Sequence, residues 1–383
     1  MKRYLLAGPA LAVSLAGCAE QPLDVTQDAR PGPSLSASGQ GGSGSVYTMT
    51  NAGSGNAVLI YRRAADGTIA PAGSAATGGL GSGGGLGNQG GLVLADAGHW
   101  LLAVNAGSNT ISAFRVGGDG ALIWTSMVAS GGTLPISVTI SGNLVYALNA
   151  GGSGNITGFR LDHEGGLTMI PGSTRPLSAA GVDPAQIAFD PRGRVLVVTE
   201  KATNRITTYL VGPDGLASAP QVNPSNGTTP FGFAFSGTGA LIVSEAFGGA
   251  ADASAASSYE VNDDGTLELL SGSVPTTETA ACWFVVTANG RFAYTSNTGS
   301  GSISGYAVRQ GGLSLLDADG RTGITGPGTA PIDLALSRNS KYLYALNSGN
   351  QTIAGFSVGA DGSLTAVGTV SGLPASANGL AAR

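Results

Sequence analysis

Two glutamates offer the most direct route to chemistry in this chain. Glu200 closes the run Val-Val-Thr-Glu and Glu245 closes Ile-Val-Ser-Glu, equivalent points of two successive segments. Neighbouring carboxylates can split their pKa values and serve as acid and base, or together hold a cation. The same position carries Asn51, Asn105, Asn149, Asn297 and Asn347 elsewhere, so a second reading gives all seven residues one task, satisfying loop N–H groups. Lys201, Arg205, Arg175 and Arg321 fall in predicted loops nearby, either to neutralise an anionic substrate or simply to be solvated. Trp283 could stack on a sugar ring or other planar ligand, or plug a channel with Phe231. A nucleophilic Cys282 would need a base to hold its thiolate. Gly79-x-Gly81-x-x-Gly84 matches a dinucleotide fingerprint by letter, but no βαβ unit surrounds it, and a flexible connection is the better reading. A Gly- and Ala-rich loop, 247–256, is expected to cover part of the same end.

A phrase repeated seven times must position these residues. Each copy runs from a hydrophobic segment through a polar loop to an aromatic, Tyr61, Phe114, Phe159, Tyr209, Tyr259, Tyr306 or Phe356, with a turn five positions later at Asp66, Asp119, Glu164, Asp214, Asp264, Gly311 or Asp361. Periods of about 40 to 50 residues with several short strands are the mark of propeller blades. In the last complete copy, strands A to D are expected at 332–337, 341–347, 352–358 and 364–370. The first copy lacks a strand A. Asn378-Gly379-Leu380-Ala381-Ala382 matches Ile332-Asp333-Leu334-Ala335-Leu336, so the C-terminus is expected to complete the N-terminal blade and close the ring. The expectation is an all-β, seven-bladed propeller of four-stranded antiparallel blades.

Topology assigns faces. The D to A and B to C connections ring one mouth of the channel, which the glutamates and asparagines at the strand B ends should encircle. A second ring comes from the start of strand A, with Gly91, Ser137, Gln186, Gly232, Trp283, Asp333 and Gly379 aligned. Ligand contacts are therefore expected from Gln186, Arg205, Phe231, Trp283, Asp333, Asn297 and Asn347, with Glu245 and Glu200 as candidate catalytic groups. His99 and His163 fall beside turns of the opposite face, poorly placed for general base work or a metal site. No metal and no cofactor is expected.

Composition fits a large single domain. Of 383 residues, 64 are glycine and 42% are hydrophobic, so the glycines read as turn punctuation in a chain that can still bury a core. A net charge of −5 provides no basic stripe for phosphates, which sets nucleic acid aside. The chain is read as a monomer. Residues 1–17 have a basic start, an apolar stretch too short to span a bilayer comfortably, and small residues at the end. Leu15-Ala16-Gly17-Cys18 resembles a bacterial lipobox, which implies lipidation of Cys18, a membrane anchor and an outer-membrane or periplasmic location; an ordinary cleaved signal peptide is the alternative. Residues 18–44, with Pro22, Pro31, Pro33 and Ser-Gly repeats, read as a tether, and 45–383 as the propeller. With Cys18 lipidated, Cys282 would have no cysteine to pair with.

Pro184-Ala185-Gln186-Ile187-Ala188-Phe189-Asp190-Pro191-Arg192-Gly193, followed by Val197-Val198-Thr199-Glu200 and Ile206-Thr207-Thr208-Tyr209, resembles the lactonase family of seven-bladed β-propellers, which includes bacterial 6-phosphogluconolactonase and fungal 3-carboxy-cis,cis-muconate lactonising enzyme. The resemblance implies lactone hydrolase or carboxymuconate cyclase-like chemistry on a small molecule such as a lactone or sugar acid. It also implies a His, often with an Arg, at the start of strand A in the middle blades, and a Glu at a nearby strand B end. Glu245 matches that Glu. The other positions hold Ala185, Gln186, Phe231 and Gly232, so the set is incomplete, and a non-catalytic propeller binding a ligand or an envelope protein stands as the alternative.

Overall fold

The computed structural model describes residues 44–95 and 98–383. Seven antiparallel sheets follow one another around a ring, six of them built in chain order from the axis outward and the first completed on its axial side by the C-terminal strand. In the last complete blade the strands are Pro331–Leu336, Tyr342–Asn347, Thr352–Val358 and Leu364–Ser371, within one residue of the expected bounds. In the third and sixth blades the outer strand is broken, so Leu167–Met169 with Arg175–Pro176, and Gly312–Leu315 with Gly323–Ile324, share one partner strand each.

Burial explains the pattern of the repeat. Second strands such as Leu144–Asn149, Val195–Glu200 and Phe292–Asn297 are buried on both faces, because each blade is covered by a neighbour on either side. Outer strands such as Leu122–Ala129 are largely open to solvent. The core accordingly lies between blades; one cluster joins Tyr47, Val104 and Val145, another Tyr146, Leu196 and Tyr209. All seven repeat aromatics are buried.

The turn of each phrase is also an interblade contact. Tyr47, Tyr146, Tyr294 and Tyr344, all on second strands, donate to the carbonyl oxygens of Gly120, Gly215, Gly362 and Gly67 in the next blade at 2.7–2.8 Å. At Gly362, φ is +91° and a Cβ would lie 2.6 Å from the Phe292 ring, so both the left-handed backbone and the close approach require glycine there.

The ring closes as the sequence predicts. Asn378–Ala382 pairs antiparallel with Gly44–Met49 as the innermost strand of the first blade. Arg383 N–H donates to Ser45 O at 2.9 Å, and the Arg383 guanidinium reaches Gly118 O at 2.8 Å in the second blade. The residues before Gly44, Cys18 among them, lie outside the described residues.

Candidate functional site

Both candidate carboxylates end second strands and are fully buried beneath the D to A connections of their own blades. Glu200 accepts from the N–H of Ser178 at 3.0 Å and from the hydroxyls of Ser178, Thr203 and Thr207. Glu245 accepts from Gly227 N–H at 2.8 Å and from the hydroxyls of Ser257 and Ser273. Burial pushes the Glu245 carboxyl above its ordinary range, opposed by these donors. The amides at the same position work locally too. Asn297 donates to Ser302 and Ser304, and Asn347 to Thr352, while the Oδ1 atoms of both receive no donor from the described residues.

The ring at the start of strand A acts as a set of staples. An innermost strand has a free backbone edge toward the axis, and in so narrow a centre those groups need partners. Ser137 Oγ accepts from Ile187 N–H in the next blade at 3.2 Å. Gln186 takes both groups of Phe233, accepting from its N–H at 2.8 Å and donating to its C=O at 3.0 Å. Asp333 accepts from Leu334 N–H at 2.8 Å and, across the closing seam, from Leu380 N–H at 2.9 Å. By this rule Gly232 should serve Phe284, and it has no side chain to do so.

The missing staple comes from across the channel. Residues 78–91, expected to form a flexible connection, instead pass into the axis, where Gln89 donates to Phe284 O at 2.7 Å and accepts from Phe284 N–H at 2.9 Å. Gln89 N–H donates to Ala185 O at 3.0 Å, the Asn88 amide donates to Ile136 O, and Asn378 donates to Asn88 Oδ1 at 3.1 Å. A Cβ on Gly232 would lie 2.1 Å from Gln89 Oε1; the glycine is the seat of this side chain. In this segment the glycines supply close approach, whereas Asn88 and Gln89 supply the hydrogen bonds that a Gly-rich composition does not advertise.

Trp283 and Phe231 meet beside this axial segment with ring centroids 4.8 Å apart, and both are buried. Trp283 Nε1 donates to Asn88 O at 2.7 Å. Lys201, only 8% exposed, holds its Nζ 2.7 Å from Gly87 O, 3.3 Å from an Asp183 carboxylate oxygen and 4.9 Å from the Phe231 ring centre. Burial pulls its pKa down, partly countered by Asp183. The axial mouth thus gathers Lys201, Trp283 and Phe231 around Asn88 and Gln89.

Other candidates stand apart from it. Arg205 is exposed and lies opposite Glu200 in strand register. Arg321 is bonded to the buried Glu278 at 2.6 Å, and Arg175 to backbone carbonyls including Ala217 O at 2.6 Å. His99 and His163 are exposed. Cys282 is fully buried, and no described cysteine is free. The loop over 247–256 is tied to the neighbouring connection, Ala246 N–H donating to Thr229 O at 3.0 Å and Gly248 N–H to Thr229 Oγ1 at 3.0 Å. Open clefts occur between blades on the opposite face, one of about 570 Å³ edged by Asp190, Arg192 and Glu260, another of about 940 Å³ edged by Trp100, Asp162 and His163. Neither contains a residue of the axial group.

No protein-family model and no curated protein matches the chain. Solved structures do. A protein from Bacteroides uniformis, described as a putative 6-phosphogluconolactonase, aligns with a TM-score of 0.66 at 21% identity over 88% of this chain and 98% of its own. The periplasmic gluconolactonase of Pseudomonas aeruginosa gives 0.67 at 19% identity over 87% and 98%. A protein from Lactobacillus plantarum gives 0.68 at 17% identity over 89% and 99%. The chain shares their seven-bladed propeller fold. Within that propeller, sequence reasoning reached the rings at both strand positions and missed the axial segment. The available signal was length: residues 77–91 form a longer D to A connection than residues 130–134 or 225–229, and carry Leu86, Asn88 and Gln89 inside a run of glycines.

Proposed function

We propose that the protein is an exported, lipid-anchored propeller that binds a lactone or the sugar acid derived from it at the axial mouth. The observation that carries this reading is the donor set of Lys201, Trp283 and Asn378 directed at one short stretch of the axis. The fold held in common with a gluconolactonase supports the ligand class. Lactone hydrolysis or a cyclase-like reaction through Glu245, with Glu200 one blade away, is the catalytic form of the reading. The hydrogen bonds that occupy both carboxylates favour the non-catalytic form, ligand binding without turnover. A panel of aldonolactones followed by proton release, with gluconate binding measured by calorimetry, separates the two. The expected result is binding, with lactone turnover no greater than that of a Glu200→Gln, Glu245→Gln double variant. Turnover well above that variant would return the carboxylates to catalysis.

The anchor has its own test. Thioether lipidation consumes the Cys18 thiol, and the chain's other cysteine is Cys282. The mature protein should therefore show the added mass of a lipidated cysteine. Cys18→Ser should release it from the membrane fraction, since several acyl chains together hold a protein where one does not. A mature chain without lipid mass, or a Cys18→Ser variant that stays in the membrane fraction, would remove the anchor from the proposal.

A further inference from the structure

Five hydrogen-bond donors from four blades converge on residues 87–90. Lys201 Nζ takes Gly87 O, Trp283 Nε1 takes Asn88 O, Asn378 Nδ2 takes Asn88 Oδ1, Phe284 N–H takes Gln89 Oε1, and Val138 N–H takes Gly90 O at 2.8 Å. Three wall carbonyls, Ile136 O, Ala185 O and Phe284 O, accept from the same stretch. An apolar plug would need none of this. The wall is a polar recognition surface, and the chain itself is what it recognises.

We propose that residues 87–90 are an internal ligand of the axial mouth, and that a small polyhydroxylated carboxylate binds there by displacing them. The proposal rests on the ligand-binding reading above and adds how access is controlled. Three features argue for displacement over a permanent core. The stretch is held mainly by hydrogen bonds, which a ligand rich in oxygen can replace one for one. It is flanked by glycines on both sides, with Gly83, Gly84 and Gly85 exposed, and Gly83, Gly87 and Gly90 at positive φ, so its entry and exit turn without side-chain obstruction. Its electrostatics also leave room for improvement. The buried Lys201 ammonium has a neutral carbonyl as its nearer acceptor, and the Asp183 carboxylate at 3.3 Å is itself 64% exposed. A ligand carboxylate in place of Gly87 O would make a charge-assisted bond in a poorly solvated site. The other donors and the three wall carbonyls suit hydroxyl groups, which both donate and accept.

If the segment occupies the site in cis, the apparent affinity of a ligand is reduced by the fraction of molecules that are closed. Gln89→Ala removes two of the tethers, and Gly232→Ala blocks the seat of Gln89 from the opposite side. The experiment is calorimetric titration of D-gluconate, with sorbitol as the uncharged control of the same carbon number, into the wild type and both variants. Folding of each is checked by circular dichroism, and hydrogen exchange is read over 86–90. Both variants should bind gluconate about tenfold more tightly than the wild type, sorbitol should bind to none, and saturating gluconate should speed exchange at 86–90 in the wild type. Equal gluconate affinity in all three proteins would overturn the internal ligand and leave the binding reading standing. Exchange at 86–90 that gluconate leaves as slow as in the blade strands would do the same. No gluconate binding by any of the three, with faster exchange at 86–90 in the variants, would overturn the carboxylate-binding reading and the displacement built on it.

Discussion

Deletion of residues 376–383 should lower the melting temperature by roughly 10 °C or more, or abolish cooperative unfolding altogether. The segment contributes the innermost strand of the first blade, Asn378–Ala382, and within it Asn378, Leu380 and Ala381 are buried. Burying a leucine contributes about 1.5–3 kcal/mol, and the ladder to Gly44–Met49 adds several hydrogen bonds of about 1 kcal/mol each. Their sum is a large part of the roughly 5–15 kcal/mol that holds a typical domain, at about 2 °C or more per kcal/mol. Deletion would also bare the edge of a strand that carries Val46 and Tyr47, and exposed apolar edges pair with other chains, so loss of solubility on heating should accompany the shift. An unchanged, reversible melting curve would show that the ring does not depend on its clasp. Differential scanning calorimetry of the truncated and full chains gives the answer directly.

The clasp was legible because it is written as a repeat. Strand A of the last blade and the C-terminal strand share a pattern, and a closed ring needs every blade to be completed, so alignment alone placed residues 378–382. Blade strands were readable for the same reason: hydrophobic runs of strand length between turn signals leave few alternatives once they recur seven times. The site was legible only as positions. Alignment put Gln186 and Asp333 at the start of strand A but could not say that their side chains reach along the axis to the next blade's backbone, at Phe233 and Leu380. Nor could it show that Gly232 lacks a staple and that Gln89 supplies one, because that partnership joins residues 195 positions apart with no pattern in common. Lys201 looked like an ordinary loop cation for a similar reason. Its burial is conferred by Phe231 and by the axial segment, and neither neighbour is local in sequence.

Asp333 should make stability depend on pH in the direction opposite to a salt-bridged carboxylate. It is buried, both of its oxygens accept backbone N–H groups, and among the described residues no cation pairs with it. Burial raises its pKa well above the ordinary value, despite those two donors. The sign follows from linkage. Below about pH 4 the carboxyl is protonated in folded and unfolded chains alike and has no effect. As pH rises, the unfolded chain loses the proton first, so unfolding is favoured and stability falls, by about 1.4 kcal/mol for each unit of the shift, until the folded-state pKa is passed. Asp333→Asn removes the titration. It also places an amide nitrogen against one of the two backbone N–H groups, costing about 1–3 kcal/mol at every pH. The variant should therefore be less stable than the wild type near pH 4, and the gap should close as pH rises toward neutrality. Glu245, also shifted upward, is present in both proteins and cancels in the difference. Denaturant unfolding at several pH values reads this difference. Parallel curves for the two proteins would mean that the closing seam holds an ordinary carboxylate, ionised in the folded ring.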